Sequence, residues 1–362
     1  MQIDVCGDDG MKKSFDELFE DQTKLGTKIK TNEYHDSGAH IIIDQGQEQI
    51  AGYTDLDDGL FTSVPAIVFG DHTRVIKYVD EPFFLGADGV KVLRCKYSDA
   101  NYRYLYYALK SVRIPNTGYN RHFKWLKETH ISYPDTSTQA EIVHVLDSVT
   151  DIIDKRKQEL SSLDDLIKAR FVEMFGDMLI NPMRWPEIRL DEVSDIVSGI
   201  TKGRKPKTDE LFEVPYMAVS NVKDGYIDWT TVKTILATRA EIEQYRLLPL
   251  DVLMTEGGDP DKLGRGAIIH EPPENCIHQN HIFRVRLNQK HLLPVFFAQY
   301  LQQQRAKRYF LGCAKQTTGI ASINMKQLSA LPVLLPSIDE QIQFAAFVEQ
   351  IDKSKDAIKK SL

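Results

Sequence analysis

The sequence of 362 residues lacks any run of 18 apolar residues, and its opening stretch, MQIDVCGDDGMKK, lacks the apolar segment of a signal peptide. Both absences favour a soluble, cytoplasmic protein. Cysteine is also scarce: Cys6, Cys95, Cys276 and Cys313 are scattered, and none forms a Cys-x-x-Cys pair. A disulfide framework or a zinc site is therefore not expected.

The common catalytic motifs are missing as well. The sequence has no Gly-x-x-x-x-Gly-Lys-Ser/Thr phosphate loop, no Gly-x-Gly-x-x-Gly, no Gly-x-Ser-x-Gly and no His-Glu-x-x-His. The stretch from Glu256 to Asp259 is acidic and glycine-rich, but glycines in such a setting are more typical of a turn than of a nuclease site. His278 and His281 stand three apart on a predicted strand, so they should face opposite ways and not share a metal. We expect no catalysis by this chain and no metal.

A long uninterrupted heptad pattern is present instead. Between Gln139 and Phe175, apolar residues recur in alternating steps of four and three with no Gly or Pro, which predicts a helix about 55 Å long that pairs with another helix. Arg156 and Arg170 occupy two positions of this seam. They either fix the register of the paired helices, face another subunit, or extend their charged ends to solvent where the helix contact is loose. The apolar seam residues are Ile142, Leu146, Val149, Ile153, Leu160, Leu163 and Ile167.

The heptad segment belongs to an internal duplication. Aligning Gln139 with Gln341, an offset of 202 residues, places a second, shorter heptad segment at the end of the chain. Upstream the offset falls to 192, where residues 102–111 align with 294–303 and the second copy is ten residues longer. The predicted fold is α+β (mixed α/β), with two globular units, each followed by a helix. The second seam consists of Phe344, Val348, Ile351 and Ile358.

Local patterns predict short elements in both units. The first unit should contain a strand at 41–43, a hairpin over 67–79, a strand at 90–96 and a helix at 101–111. For the second unit we predict a short helix at 189–200, two strands over 214–229, two strands over 251–270, one strand over 276–288 and one helix over 293–311.

The net charge of −7 disfavours nucleic acid only at first sight. Residues 1–21 contain seven acidic and two basic side chains, a balance of −5, so the remaining residues sum to −2. Local basic patches can therefore still bind phosphates.

Several segments resemble a known family. DQGQEQIAGYTD at 44–55, LPVLLPSIDEQIQFAAFVEQID at 331–352, the PVFFAQYLQQQ helix at 294–304 and the heptad end FVEMFGD at 171–177 resemble the DNA specificity (S) subunit of type I restriction-modification systems. The entry into the second helix, from Pro336 to Gln341, is echoed from Pro134 to Gln139.

The resemblance covers essentially the whole chain and implies a domain order. The expected order is a target recognition domain at 1–136, a conserved helical region at 137–177, a second target recognition domain at 178–336 and a second helical region at 337–362. The two helices should run antiparallel as a coiled coil, with a pseudo-twofold relation between the repeats. The second helix has 22 residues from Gln341 to Leu362 against 37 in the first, so it is either truncated or naturally short, and the strength of its hold on a methyltransferase subunit stays open.

The same resemblance implies the function. Such a subunit is a non-catalytic reader of an asymmetric, bipartite target in double-stranded DNA. It docks two methyltransferase (M) subunits, and restriction/motor (R) subunits join the full complex. No cofactor is expected in this chain, because S-adenosylmethionine would belong to the methyltransferase partner. A rod of about 55 Å matches roughly 16 base pairs, so helix length should set the spacer between half-sites.

Residues for DNA contact are chosen as donors and acceptors on predicted loops. In the first unit they are Gln45, Gln47, Tyr53, Arg74, Asn120, Arg121 and Lys124; in the second they are Lys202, Arg204, Lys205, Asn221, Lys223, Lys262, Arg265, Lys315 and Gln316. Two alternatives stay open, a self-contained DNA methyltransferase or nuclease, and a coiled-coil scaffold or RNA-binding protein.

Overall fold

The structure is a computed structural model and describes residues 12–86, 88–204, 210–258, 263–317 and 320–362. The chain forms two compact units, Met1–Asp154 and Lys155–Leu362, which meet within one long helix.

The first unit is built from short strands and helices around a mainly antiparallel core. Its sheets have the strand orders β2-β8-β5-β6, β4-β3-β7 and β1-β9, and only the β3–β7 pair is parallel. Helix α2 buries Leu105 and Leu109 with Phe69 and Leu93 of the central sheet. The elements are β1 Lys12–Ser14, α1 Phe15–Leu18, β2 Phe19–Asp21, β3 His40–Ile43, β4 Gly52–Thr54, β5 Ala66–Gly70, β6 Ile76–Val79, β7 Phe83–Leu85, β8 Val90–Cys95, α2 Tyr102–Ser111, α3 Phe123–Lys127, β9 His130–Ser132 and α4 Thr136–Phe175.

The second unit contains the C-terminal part of α4 and sheets of the same design. Their orders are β11-β18-β14-β16, β13-β12-β17 and β10-β21, and β12 pairs with β17 in parallel. A further small sheet, β15-β20-β19, has no counterpart in the first unit's described residues. The elements are β10 Glu187–Arg189, β11 Ser194–Ser198, β12 Phe212–Met217, β13 Lys233–Ala237, α5 Arg239–Tyr245, β14 Val252–Thr255, β15 Gly257–Gly258, β16 Gly266–Ile268, β17 Ile277–His278, β18 Ile282–Leu287, α6 Pro294–Leu301, α7 Gln304–Cys313, β19 Lys315–Thr317, β20 Ile320–Ser322, α8 Met325–Ser329, β21 Pro332–Leu334 and α9 Ile338–Ser361.

The two units have the same topology, which confirms the predicted α+β duplication. The central strands β8 and β18 begin at Val90 and Ile282, 192 residues apart, and the long helices begin at Thr136 and Ile338, 202 residues apart. The extra ten residues of the second unit belong to the segment that holds α7 and the β19–β20 hairpin.

A buried glutamine performs the same task at the start of each long helix. Gln139 donates from Nε2 to the Pro134 carbonyl (2.8 Å) and accepts from the backbone N–H of Asn101 at 3.3 Å. Gln341 donates to the Pro336 carbonyl (3.0 Å) and accepts from Leu293 N–H at 2.9 Å. In both units one amide therefore ties the helix entry to the segment that precedes α2 or α6, which explains why the proline and glutamine recur at the same spacing.

Within the second unit, α9 runs antiparallel to the C-terminal part of α4. The Phe344 ring packs against Phe171 and Phe175 near the start of α9. Further along, Lys355 of α9 forms an ion pair with Asp164 of α4, so rising residue numbers on one helix meet falling numbers on the other.

The seam residues occupy different environments along α4. Ile142 packs against the core of the first unit, whereas Ile167 is buried in the core of the second, which also contacts Val348 and Ile351. Phe344 is fully buried, and the remaining members are half-buried, except for Val149. That prediction is wrong: Val149 is exposed, and half-buried Thr150 lies inward beside it. The half-buried residues are Leu146, Ile153, Leu160, Leu163, Val348, Ile351 and Ile358.

Four local predictions for the second unit are wrong, the first three because a distant strand partner determines the local structure. The segment 189–200 forms a 3-10 turn and strand β11, which pairs with β18, instead of a helix. Over 214–229 only the first of the two predicted strands forms. That strand, β12, pairs with β13, whereas 222–229 contains a single bridge, between Val222 and Ile227. The segment 276–288 divides into β17 and β18, which belong to different sheets, and the helix over 293–311 breaks at Gln303, whose backbone is extended.

Candidate nucleic-acid interface

One end of the first central sheet collects most of the predicted contact residues of that unit. We call it the loop end of the first sheet and define it by Gly70, Ile76 and Val90, where β5 ends and β6 and β8 begin; Gly70 lies opposite Val90. The turn between β5 and β6 carries Arg74, whose φ of 63° places it in the left-handed region.

A buried aspartate fixes a second loop at this end. The Asp71 carboxylate accepts from the backbone N–H of Phe123 (2.7 Å), and its carbonyl accepts from His122 N–H at 2.8 Å. These bonds hold the start of α3 against the β5–β6 turn. The exposed residues Asn120, Arg121 and Lys124 lie in sequence on either side of this attachment point.

Gln45 ties a third loop to the same end. Its side-chain Nε2 donates to the Asp88 carbonyl (3.0 Å), and its Oε1 accepts from His72 N–H at 3.1 Å. Because both ends of the amide are engaged, Gln45 orders the loop in this conformation. Its exposed neighbour Gln47 has the freer side chain for a ligand.

A buried lysine supports this glutamine-bearing loop from below. The Lys77 side chain on β6 is 3% exposed, and its Nζ donates to the Glu48 carbonyl and lies 3.4 Å from Asp44 Oδ1. Burial lowers the pKa of Lys77 below its usual value, while Asp44 opposes that shift. The loop over 44–49 is therefore anchored to the sheet by a charge with little access to water.

Sequence reasoning missed an exposed aromatic at this end. Tyr119 is 87% exposed, and its ring stacks on His72 with centroids 4.8 Å apart and planes 9° apart. An open aromatic face beside cationic loops is a stacking surface for nucleobases. The signal in the sequence was the tyrosine within the basic loop RIPNTGYNRH.

The second central sheet has an equivalent loop end. We define the loop end of the second sheet by Ser198, Thr255, Gly266 and Ile282, where β11 and β14 end and β16 and β18 begin; Thr255 lies opposite Ile282. Thr255 and Ile282 occupy the positions that correspond to Gly70 and Val90 in the first unit. The cationic side chains of three predicted residues leave from this end, namely Lys202, Arg265 and Lys315.

Arg265 has an unusual environment among these cations. It is half-buried directly before β16, and its Nε is buried without a hydrogen-bond partner in the described part of the chain. An unused guanidinium donor is costly to bury. Half-buried Lys223 lies near the same strand, because Gly225 N–H, two residues later, donates to the carbonyl of Gly266 in β16 at 3.2 Å.

Three predicted contact residues have roles in the fold, and for Asn221, which is buried, the prediction is wrong. Asn221 is buried, and its amide bonds within its own loop to Ala218 N–H and the Asp228 carbonyl. Arg204 forms a two-bond ion pair with Glu241, at 2.6 and 2.7 Å. The Tyr53 ring packs against the core.

The remaining predicted residues lie outside what the structure describes. Lys205 and Lys262 are not among the described residues, and Gln316 is described only as part of β19, without its side chain. Among the described residues, no group of three or more His, Cys, Asp or Glu side chains is placed to hold a metal ion.

A second surface lies beside the helix pair of the second unit. An open groove of about 1740 Å³ runs between α4, α6 and α9 and the 224–229 hairpin. It is lined by apolar side chains such as Val172 and Ile342, both exposed, and by the charges of α9. An exposed apolar groove with a charged border is typical of a protein docking surface.

A family comparison identifies the fold. A sequence model for the type I restriction modification DNA specificity domain matches residues 8–163 and 182–362, one match to each half of the duplication. The chain belongs to the type I restriction-modification DNA specificity family. Each match contains one of the two loop ends described above.

Curated relatives of this specificity-family chain carry the same description. It is 28% identical over 183 residues to the type I restriction enzyme MjaX specificity subunit of Methanocaldococcus jannaschii, a match that covers 50% of this chain and 42% of the relative. It is 22% identical over 359 residues to the EcoR124I/EcoR124II specificity subunit of Escherichia coli, with 92% of this chain and 84% of the relative covered. The chain thus spans less than half the length of the first of these relatives.

A solved structure shows that the fold of the specificity-family chain is shared. The S subunit of a type I restriction-modification system from M. genitalium superposes with a TM-score of 0.55 at 18% identity, and the match covers 99% of this chain and 94% of that one. Of the helices that the structure describes, none is long and apolar enough to cross a membrane.

Proposed function

We propose that the chain is the non-catalytic DNA-reading subunit of a type I restriction-modification complex. The observation that carries this proposal is the duplication of one loop end: each unit places cationic residues at the same end of the same sheet. Two such surfaces suit two half-sites of a double-stranded DNA target. Since the loops of the two units differ, the target would be asymmetric.

We assign different tasks to the cationic and amide side chains. Exposed lysines such as Lys124, Lys202 and Lys315 would neutralise phosphates and contribute affinity that falls with salt. Arg74, Arg265 and the free amides would contact base edges, where a two-bond contact contributes about 1–3 kcal/mol of discrimination.

We propose the domain order expected from the family, with target recognition domains at 1–136 and 178–336. The helical regions at 137–177 and 337–362 would dock two methyltransferase subunits, and restriction subunits would join them. The groove beside α9 supports this, because it offers apolar and charged groups next to the helices. S-adenosylmethionine would bind to the methyltransferase partner, and the complex would act on DNA in the cytoplasm.

The test uses the chain co-purified with its methyltransferase subunit and a duplex that carries the selected target. Binding should weaken linearly on a log scale as salt rises. Arg265→Ala should relax one base position, whereas Lys315→Ala should weaken binding to all sequences alike.

Three results would contradict the proposal and separate the alternatives. Methyl transfer by the isolated chain would mean a self-contained enzyme. Equal binding of RNA and duplex DNA would favour an RNA-binding protein, and stable partner binding with no binding of nucleic acid would favour a scaffold.

A further inference from the structure

A histidine and a glutamate form a pair at the loop end of the second sheet. His281 directly precedes β18, and Glu256 directly follows β14. His281 Nδ1 lies 2.5 Å from Glu256 Oε2, and the backbone N–H of Glu256 donates to the His281 carbonyl at 3.0 Å. Both residues are thus held by the central ladder and do not sit on a free loop tip.

The first unit has the same backbone arrangement but no such pair. Asp71 and Gly89 occupy the equivalent positions, and Asp71 N–H donates to the Gly89 carbonyl at 2.7 Å. There the carboxylate is buried and accepts from Phe123 N–H. The duplication therefore offers an internal comparison: the acid is present in both copies, and the histidine only in the second. Two units that read different half-sites must differ at positions of this kind.

The pair leaves one ring nitrogen available to a ligand. The His281 side chain is 55% exposed and that of Glu256 34%. A carboxylate that accepts from Nδ1 holds the proton of the neutral imidazole on that nitrogen, so Nε2 of the neutral ring carries a lone pair. Within the described part of the chain, Nε2 of His281 has no hydrogen-bond partner.

The surroundings of the pair suit DNA. Arg265 and Lys315 leave from the same end and provide positive charge for phosphates. Among the described residues, no atom lies within 4 Å of the place that a Cβ would occupy on Gly258, two residues after Glu256. With 55% of its side chain exposed, His281 is accessible to a ligand.

We propose that His281 is a specificity-determining residue for the half-site read by the second unit. Its Nε2 accepts a hydrogen bond from the exocyclic amine of a cytosine or adenine, because these amines are the donors that bases present in the major groove. Glu256 is the positioning residue that keeps Nε2 an acceptor. This inference rests on the proposed DNA-reading function and adds the chemical group recognised at one base position.

The test compares base preferences of variants in complex with the methyltransferase subunit. Each complex selects targets from a duplex library randomised in both half-sites. His281→Ala should lose preference for cytosine or adenine at one position of one half-site, by about tenfold, a typical value for a lost base contact. The other half-site should be unchanged. The matched control is His291→Ala, which removes another exposed histidine, beyond the opposite end of β18.

Glu256→Gln separates positioning from contact. An amide can accept from Nδ1 or donate to it, so both tautomers become populated and Nε2 can act as acceptor or donor. Preference at the same position should therefore broaden towards guanine and thymine, with little loss of affinity for the original site.

A base analogue tests the contact directly. Replacing cytosine by 2-pyrimidinone, or adenine by purine, at the affected position removes only the exocyclic amine. The wild-type complex should bind the analogue about tenfold more weakly, while His281→Ala should bind both DNAs alike.

The outcomes distinguish the inference from the function beneath it. If wild type selects a target and His281→Ala selects the same one with the same stringency, the inference is overturned and the reader function stands. A uniform loss over all sequences, with an unchanged melting curve, would overturn it too, because it would assign His281 to phosphate. If wild type selects no target, the proposed function itself fails.

Discussion

Replacing Phe344 by alanine should destabilise the second unit more than any surface change on the same helix. Phe344 is fully buried where α9 crosses α4, and its ring meets Phe171 and Phe175 edge-on at centroid distances of 5.4 and 5.6 Å. Those two rings also pack on Phe296 of α6. Truncation leaves a cavity that three helices line, and a buried Phe→Ala change typically costs about 3–5 kcal/mol.

The assay is denaturant unfolding followed by tryptophan fluorescence. Trp185 reports on this region because its indole N–H donates to the Phe175 carbonyl at 2.9 Å. A background with Trp125→Phe and Trp229→Phe leaves it as the single reporter. For a unit of this size, the loss corresponds to a fall in Tm of roughly 6–20 °C.

The matched control is Ile342→Ala, two residues earlier on α9, whose side chain is 52% exposed. It should change stability by less than about 0.5 kcal/mol. If Phe344→Ala and Ile342→Ala unfold at the same denaturant concentration, the aromatic cluster does not hold α9 to α4, and the helix pairing within this unit is refuted.

Three further predictions concern single side chains. Burial lowers the pKa of His278 to about 4, so protonation favours the unfolded chain. The free energy of unfolding, which has its full value above pH 6.5, should therefore fall by about 3 kcal/mol as the pH approaches 4. Unfolding of His278→Gln should lack this pH dependence. Lys77→Met should release the loop over 44–49 and speed hydrogen exchange of its amides, since each buried hydrogen bond that is left unmade costs about 1–3 kcal/mol. Unchanged hydrogen exchange of these amides, measured by mass spectrometry, would contradict the anchoring role. Tyr119→Ala should leave the melting curve unchanged but weaken target binding by about 1–3 kcal/mol if the ring stacks on a base, and equal affinity in a titration would exclude that contact.

Sequence periodicity predicted the long helices and the duplication because both depend on residues close together in the chain. The heptad from Gln139 to Phe175 needs no distant partner to be recognised, and the repeated Pro-to-Gln spacing reflects one local hydrogen bond. Strand β11 was predicted as a helix because its hydrogen bonds come from β18, almost ninety residues later. Local patterns do not contain that information.

The same limit applied to the site. The sequence put Arg265 and Lys315 on predicted loops, because cationic polar stretches are visible in it; in the structure Arg265 directly precedes β16 and Lys315 begins β19. It could not show that Arg204 is paired with Glu241, 37 residues away, or that Asn221 is buried. Nor could it bring His281 to Glu256, which depends on the register of β14 and β18.

The most direct test of the DNA-reading function is sequence selection from random duplex DNA by the chain co-purified with its methyltransferase subunit. Two units with equivalent loop ends predict a bipartite, asymmetric motif with a spacer of fixed length, and deleting one heptad from α4 with the matching part of α9 should change that spacer. A single short motif would mean that only one loop end reads DNA. Selection of no motif, with the methyltransferase bound, would contradict the account.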